Sequence, residues 1–197
     1  MLKIKRTLVT AMALTTCLMS SSQAAQSWKI VPKDSELKFS VRENNVTLGG
    51  SFASFTGEIK FDPAHLDSSK VRIIVNMNSV KSPNPDLEGK LPGADWFDAK
   101  VFPQAGYTAS NFVSKGKNAA GKESFEAKGT LMLRNKTAPV TLTFTLDEYT
   151  PTKAVVTGQT SLKRTVFGVG QGEWGSTDVI EDDVQVSFKI TAQSDGK

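Results

Sequence analysis

A hydrophobic period of two residues, returning along most of the chain, constrains this sequence more than any other feature. Leu37, Phe39 and Val41 alternate with Glu36, Lys38, Ser40 and Arg42. Val140, Leu142, Phe144 and Leu146 alternate with Thr141, Thr143, Thr145 and Asp147, and Val184, Val186, Phe188 and Ile190 do the same near the C-terminus. Successive side chains of a strand point to opposite faces, so each segment has one apolar and one wet face. That pattern belongs to antiparallel sheet with a single buried side. Weaker alternation covers 55–61, 71–77, 107–113, 125–133 and 154–162, which with 28–31 makes about eight or nine strands. Turn signals separate them at Asn44-Asn45, Gly49-Gly50, Asp62-Pro63, 116–121, 135–139 and Thr150-Pro151. Strands this long suit an antiparallel barrel better than a short-stranded sandwich. The predicted fold class is therefore all-β, an antiparallel barrel of about eight strands, wide enough inside for side chains or one small ligand.

Two stretches break the alternation. Residues 82–102 space Leu87 and Leu91 as on a helix, while Gly89, Pro92 and Gly93 forbid a long one. A short helical insert carrying Trp96 and Phe97 onto the barrel is expected, as a plug, as a lid over an entrance, or as both. Residues 162–175 run from a strand pattern into Gly168, Gly170, Gly172 and Gly175 around Trp174. The spacing is not that of a dinucleotide-binding turn and no amphipathic helix follows, so a barrel corner or rim is the reading.

The N-terminus reads as a secretory signal. Lys3, Lys5 and Arg6 precede a short apolar run, and Ser22-Gln-Ala24 offers small residues for cleavage. Cleavage after Ala24 leaves 197 − 24 = 173 residues, one domain over 25–197. The only cysteine, Cys17, lies in the apolar run; Leu14-Thr-Thr-Cys17 is a poor lipid-attachment site because Thr16 stands where a smaller residue is needed. The expected location is the periplasm, with no disulfide in the mature chain. Removing three of the 24 basic residues leaves 21 − 20 = +1, which gives no electrostatic case for a nucleic-acid partner.

Catalytic groups are sparse. His65 is the only histidine and stands in a polar connection, so neither a nucleophile–histidine pair nor a metal site is expected. Asp95 and Asp98, flanking Trp96, are the only acids placed where a carboxylate pair would matter.

The residues that carry the strands also resemble a known family. Trp28-Lys-Ile, 35–41, 50–63, Asp95-Trp-Phe-Asp98, Phe102-Pro103, 129–133, Thr137-Ala-Pro-Val140 and 164–170 are similar, in order, to the YceI-like family. The run Gly168-Val-Gly-Gln-Gly-Glu-Trp174 resembles a subgroup that accompanies, or is fused to, membrane b-type cytochromes. The resemblance implies a periplasmic, lipocalin-like barrel that encloses a long isoprenoid lipid in an apolar tunnel, with no catalytic residue, metal or other cofactor. Asp34 and Lys90 stand where many relatives carry histidine, so no role of those histidines transfers.

On that reading the inward stripe is Phe39, Phe55, Ile59, Val75, Leu131, Leu133, Leu142, Phe144 and Phe188, each of which plain core would equally explain. Phe167 and Trp174 at the glycine-rich end, with Trp96 and Phe97 in the insert, are the rim candidates. Arg164 is the candidate polar contact to a head group, an outward salt bridge being the alternative. The function expected is a carrier of a polyprenyl or quinone-like lipid. The alternatives are a filled barrel serving a membrane b-type cytochrome by surface contact and a hydrolase using Asp95 or Asp98. Pairing of two copies is left open.

Overall fold

The computed structural model describes residues 25–195; the expected signal and Cys17 lie outside them. Eleven strands follow one another: β1 (Ser27–Ile30), β2 (Glu36–Glu43), β3 (Val46–Phe52), β4 (Phe55–Lys60), β5 (Lys70–Asn76), β6 (Val80–Lys81), β7 (Gln104–Lys117), β8 (Glu123–Leu133), β9 (Lys136–Tyr149), β10 (Lys153–Lys163) and β11 (Asp183–Ser194). The one α-helix among the described residues, α1 (Pro85–Lys90), lies in the insert. Asn84 caps it by accepting from the amides of Asp86 and Leu87, and Pro85 sits at its first turn.

Eight strands close a barrel in the order β1, β4, β5, β7, β8, β9, β10, β11 and back to β1, every pairing antiparallel. Strand β11 is shared: its C-terminal end pairs with β1, while Gln185–Lys189 pairs with β2. Strands β2, β3 and β6 thereby extend the wall beyond the ring at one end. That end, called the mouth, also receives the end of β10, the start of β11 and the insert.

The expected turns hold in part. Asn44-Asn45 and Arg134-Asn135 are two-residue hairpin turns with positive φ at both positions, the geometry that matches the twist of the strands they join. The turn expected over 135–139 is therefore shorter than foreseen, and Pro139 lies within β9 opposite Thr130. Gly49-Gly50 is no turn but part of β3. A Cβ on Gly50 would lie 2.4 Å from the Lys81 carbonyl oxygen and 2.7 Å from Phe39 Cζ, so glycine here admits a neighbouring strand and a ring.

Aromatic rings seal the end opposite the mouth. Phe125 stacks on Phe144 with centroids 5.5 Å apart, and Phe61 meets both edge-on. Trp28 packs against Tyr149 and donates its Nε1–H to the Phe61 carbonyl at 3.0 Å. Nearer the barrel middle, Tyr107 donates its hydroxyl to the carbonyls of Ala127 and Val140. Burial, opposed in part by a backbone hydrogen bond with Leu142, pushes the Tyr107 hydroxyl up to about 12 from 10.0. Because the unfolded phenol loses its proton first, the stability this group contributes is complete below pH 10 and is lost as the pH rises towards 12. Tyr107→Phe should flatten this alkaline limb, as measured by thermal melts on either side of it.

Candidate functional site

The alternation that builds the barrel also builds its inside. Along β11 the outward Asp183, Gln185, Ser187 and Lys189 are exposed, while the inward Val184, Val186, Phe188 and Ile190, like Val156 and Leu162 of β10, are only partly buried. Inward side chains of a filled barrel would be fully covered. These instead face a lumen of about 300 Å³ whose wall is almost wholly apolar. On β10 the wall runs from Ala154 to Leu162, eight residue steps. That is about 26 Å along a strand and, with the usual tilt, about 20 Å along the barrel axis. The space is therefore slender, at the small end of the range for ligand pockets.

The structure brings most of the expected residues together. Phe39, Phe55, Ile59, Val75, Leu131, Leu133, Leu142, Phe144 and Phe188 all line the lumen. From the mouth, Trp96, Phe97 and Phe167 reach the same space. Trp174 does not: it stands behind Trp96, ring centroids 5.7 Å apart, with Lys90 Nζ 4.8 Å from its own ring. Residues not foreseen as lining include Trp28, Phe61, Phe112, Tyr107 and Ala127. For Tyr107, Phe112 and Ala127 the signal was present as alternation in β7 and β8, but Ala127 and Tyr107 are a small and a polar member of that stripe.

Two arginines assemble the mouth. Arg164 is 3% exposed and directs all five N–H groups at carbonyls: Nε to Glu181, Nη1 to Val169 and Gly170, Nη2 to Ser176 and Ile180. Neither expectation for it holds. It is no outward salt bridge, and it has no N–H left for a head group, although its side chain lines the lumen. Burial pulls its pKa down, offset in part by Asp182, and the carbonyl cage supplies the acceptors such a charge requires. Gly168, Gly170 and Gly172 take the positive φ values that wrap this loop round the guanidinium. Arg134, in the β8–β9 turn, donates Nη1 to the carbonyls of Trp96 (2.6 Å) and Gly168, tying insert to loop. The Asp95 carbonyl accepts from the amides of Gly170 and Gln171, both at 2.8 Å, a second tie between the same segments.

Among the described residues no carboxylate lines the lumen; Asp95 and Asp98 lie outside it. His65 is a half-exposed surface residue, its Nδ1 2.9 Å from Asp62 Oδ2. No cluster of three or more potential metal ligands occurs among the described residues. The large apolar side chains left exposed are Val46, Val101, Met132, Val166 and Val179. All five belong to turns, loops or strand ends on the mouth side.

A closed eight-stranded antiparallel barrel with an apolar lumen, capped at one end by a short helical insert, defines a lipocalin-like binding fold. The chain belongs to the YceI-like domain family, whose model matches residues 28–192. It is 27% identical over 175 residues to a UPF0312 protein of Azotobacter vinelandii, covering 84% of this chain and 88% of that one. A UPF0312 protein of Pseudomonas fluorescens is 25% identical, with 84% and 87% covered. Among solved structures it is similar to Burkholderia cenocepacia BcnA, with a TM-score of 0.73 and 28% identity over 82% of this chain and 98% of that one. It shares its fold with a polyisoprenoid binding domain from Saccharophagus degradans implicated in plant cell wall breakdown (TM-score 0.67, 15% identity, 86% and 99% covered).

Proposed function

We propose that the protein binds and carries a long isoprenoid lipid in the periplasm, with the tail threaded into the barrel. The observation that carries this reading is the lumen itself, slender, apolar and lined by side chains that the barrel's own packing leaves partly uncovered. Family membership supports it, as does the shared fold with a polyisoprenoid binding domain. A tail giving up on the order of 400 Å² of apolar surface gains about 10 kcal/mol. Immobilisation offsets several of those, leaving micromolar to nanomolar affinity without any catalytic group. The exposed valines round the mouth favour entry at that end, and a quinone-like cargo would suit the b-type cytochrome partner implied by the sequence resemblance.

Affinity should then depend on tail length in a characteristic way. Titrating delipidated protein with prenyl alcohols of increasing length, read by intrinsic tryptophan fluorescence, should give affinity that climbs with each unit. It should level off once the tail spans about 20 Å. Affinity independent of length would contradict a tail-binding lumen.

A further inference from the structure

The near-neutral balance of the chain hides an uneven surface. On the outer wall of the barrel, β4, β5, β7 and β8 frame a shallow trough of about 530 Å³. Its floor is the outward row of β7, where Thr108 and Ser110 are short, and Thr130 of β8 stands opposite Thr108. Its banks are long cations, Lys60, Lys70 and Arg72 on the β4–β5 side and Lys128 on β8, all four exposed. Two strand spacings, about 10 Å, separate β5 from β8. Glu58 is the one acid in the lining, so four cations against it leave the trough strongly positive.

Three observations set the trough apart from an ordinary solvated face. Seven lysines elsewhere on the described surface each hold a carboxylate within 3.1 Å, whereas none of these four cations is ion-paired among the described residues. Even Arg72, which faces Glu58 across the ladder, stays unpaired, and Lys60 lies directly opposite Lys70. Like charges facing each other across strands oppose folding, and such a local conflict is expected where a surface serves another purpose. The hydroxyls of Thr108, Ser110 and Thr130 also lack a partner among the described residues. Finally, the outward row of β8 runs on from Lys128 and Thr130 to Met132, one of the exposed apolar side chains on the mouth side. Val101, in the segment leading into β7, is another.

We infer that this wall is the face by which the protein docks on an anionic phospholipid bilayer. Head-group phosphates seat among the four cations and three hydroxyls, while Met132 and Val101 reach the acyl boundary. The inference builds on the carrier reading, since a water-insoluble cargo has to be collected from a bilayer. Phosphate suits the trough because each group brings charge and several acceptor oxygens to lysine, arginine and hydroxyl donors. No aromatic side chain lines the trough, so a protein partner would find no anchor there.

The test is co-sedimentation of the purified protein with vesicles of phosphatidylcholine, with and without phosphatidylglycerol. Binding should require phosphatidylglycerol and fade as ionic strength rises. Each cation near such a surface is worth about fivefold in partitioning, so Lys70→Glu combined with Lys128→Glu should weaken binding by at least about 25-fold. Lys33→Glu combined with Lys189→Glu makes the same change of net charge on the β2–β11 side of the barrel, and should stay within about twofold of wild type. Both double variants should bind a prenyl alcohol normally in vesicle-free buffer, because none of the four lysines lines the lumen. Equal losses in the two double variants, or equal binding to the two kinds of vesicle, would overturn the docking inference alone. Release from anionic vesicles by inorganic phosphate at constant ionic strength would make the trough a small-anion site and overturn it too. Failure of the wild type to take up the prenyl alcohol would instead overturn the carrier reading.

Discussion

Arg164→Met should lower the unfolding midpoint of the ligand-free protein by about 10 °C. The side chain lies inside a shell of five carbonyl oxygens contributed by Val169, Gly170, Ser176, Ile180 and Glu181, and it is the common donor to all of them. Methionine fills much of the same volume but returns no donor. Orphaning one partner of a buried charged network costs about 3–5 kcal/mol. Rehydration of the outer carbonyls, on the Ser176 and Glu181 side, keeps the total from being five full hydrogen bonds. For a domain of this size each kcal/mol moves the midpoint by about 2–4 °C. Arg164→Lys keeps the charge but not the fork of five donors, so it should recover only part of the loss. A head-group role would give the reverse pattern, an apo midpoint close to wild type with a loss confined to lipid binding. Differential scanning fluorimetry of both variants separates the two.

Leu142→Trp should abolish lipid uptake while leaving the apo protein at least as stable as wild type. Leu142 sits mid-strand on β9 with its side chain on the lumen wall, opposite Ala127 of β8. The larger ring has a lumen of about 300 Å³ to enter and little to displace. Filling an existing void adds contacts, whereas inserting the same atoms into a packed core costs about 1–3 kcal/mol in strain. A lowered midpoint would therefore identify a barrel filled by its own side chains. A held or raised midpoint with lipid affinity reduced at least a hundredfold is the outcome expected, measured by melting curves and prenyl-lipid titration on the same sample.

How far these features could be read from the sequence depends on the reach of the forces behind them. The alternation of Val140, Leu142, Phe144 and Leu146, or of Val184 to Ile190, is local, and it placed the strands and their inward faces before any contact was known. Turn chemistry was legible at Asn44-Asn45 because positive φ there is a property of two residues. It misled at Gly49-Gly50, where glycine answers not a turn but the approach of Phe39 and Lys81 from other strands. Arg164 was singled out by type and position, yet its role depends on carbonyls up to seventeen residues away that no spacing rule gathers. Arg134 carried no signal in the sequence, because its partners, Trp96 and Gly168, belong to the insert and the glycine loop.

The central claim is that the lumen holds a prenyl chain. The most direct measurement is native mass spectrometry of the protein expressed from its whole sequence and purified without detergent, followed by organic extraction of whatever it carries. The account predicts one adduct per chain whose extracted mass and fragmentation are those of a prenylated lipid, displaced by an added prenyl quinone. A bare mass that stays unchanged when prenyl lipids are supplied in excess would contradict it.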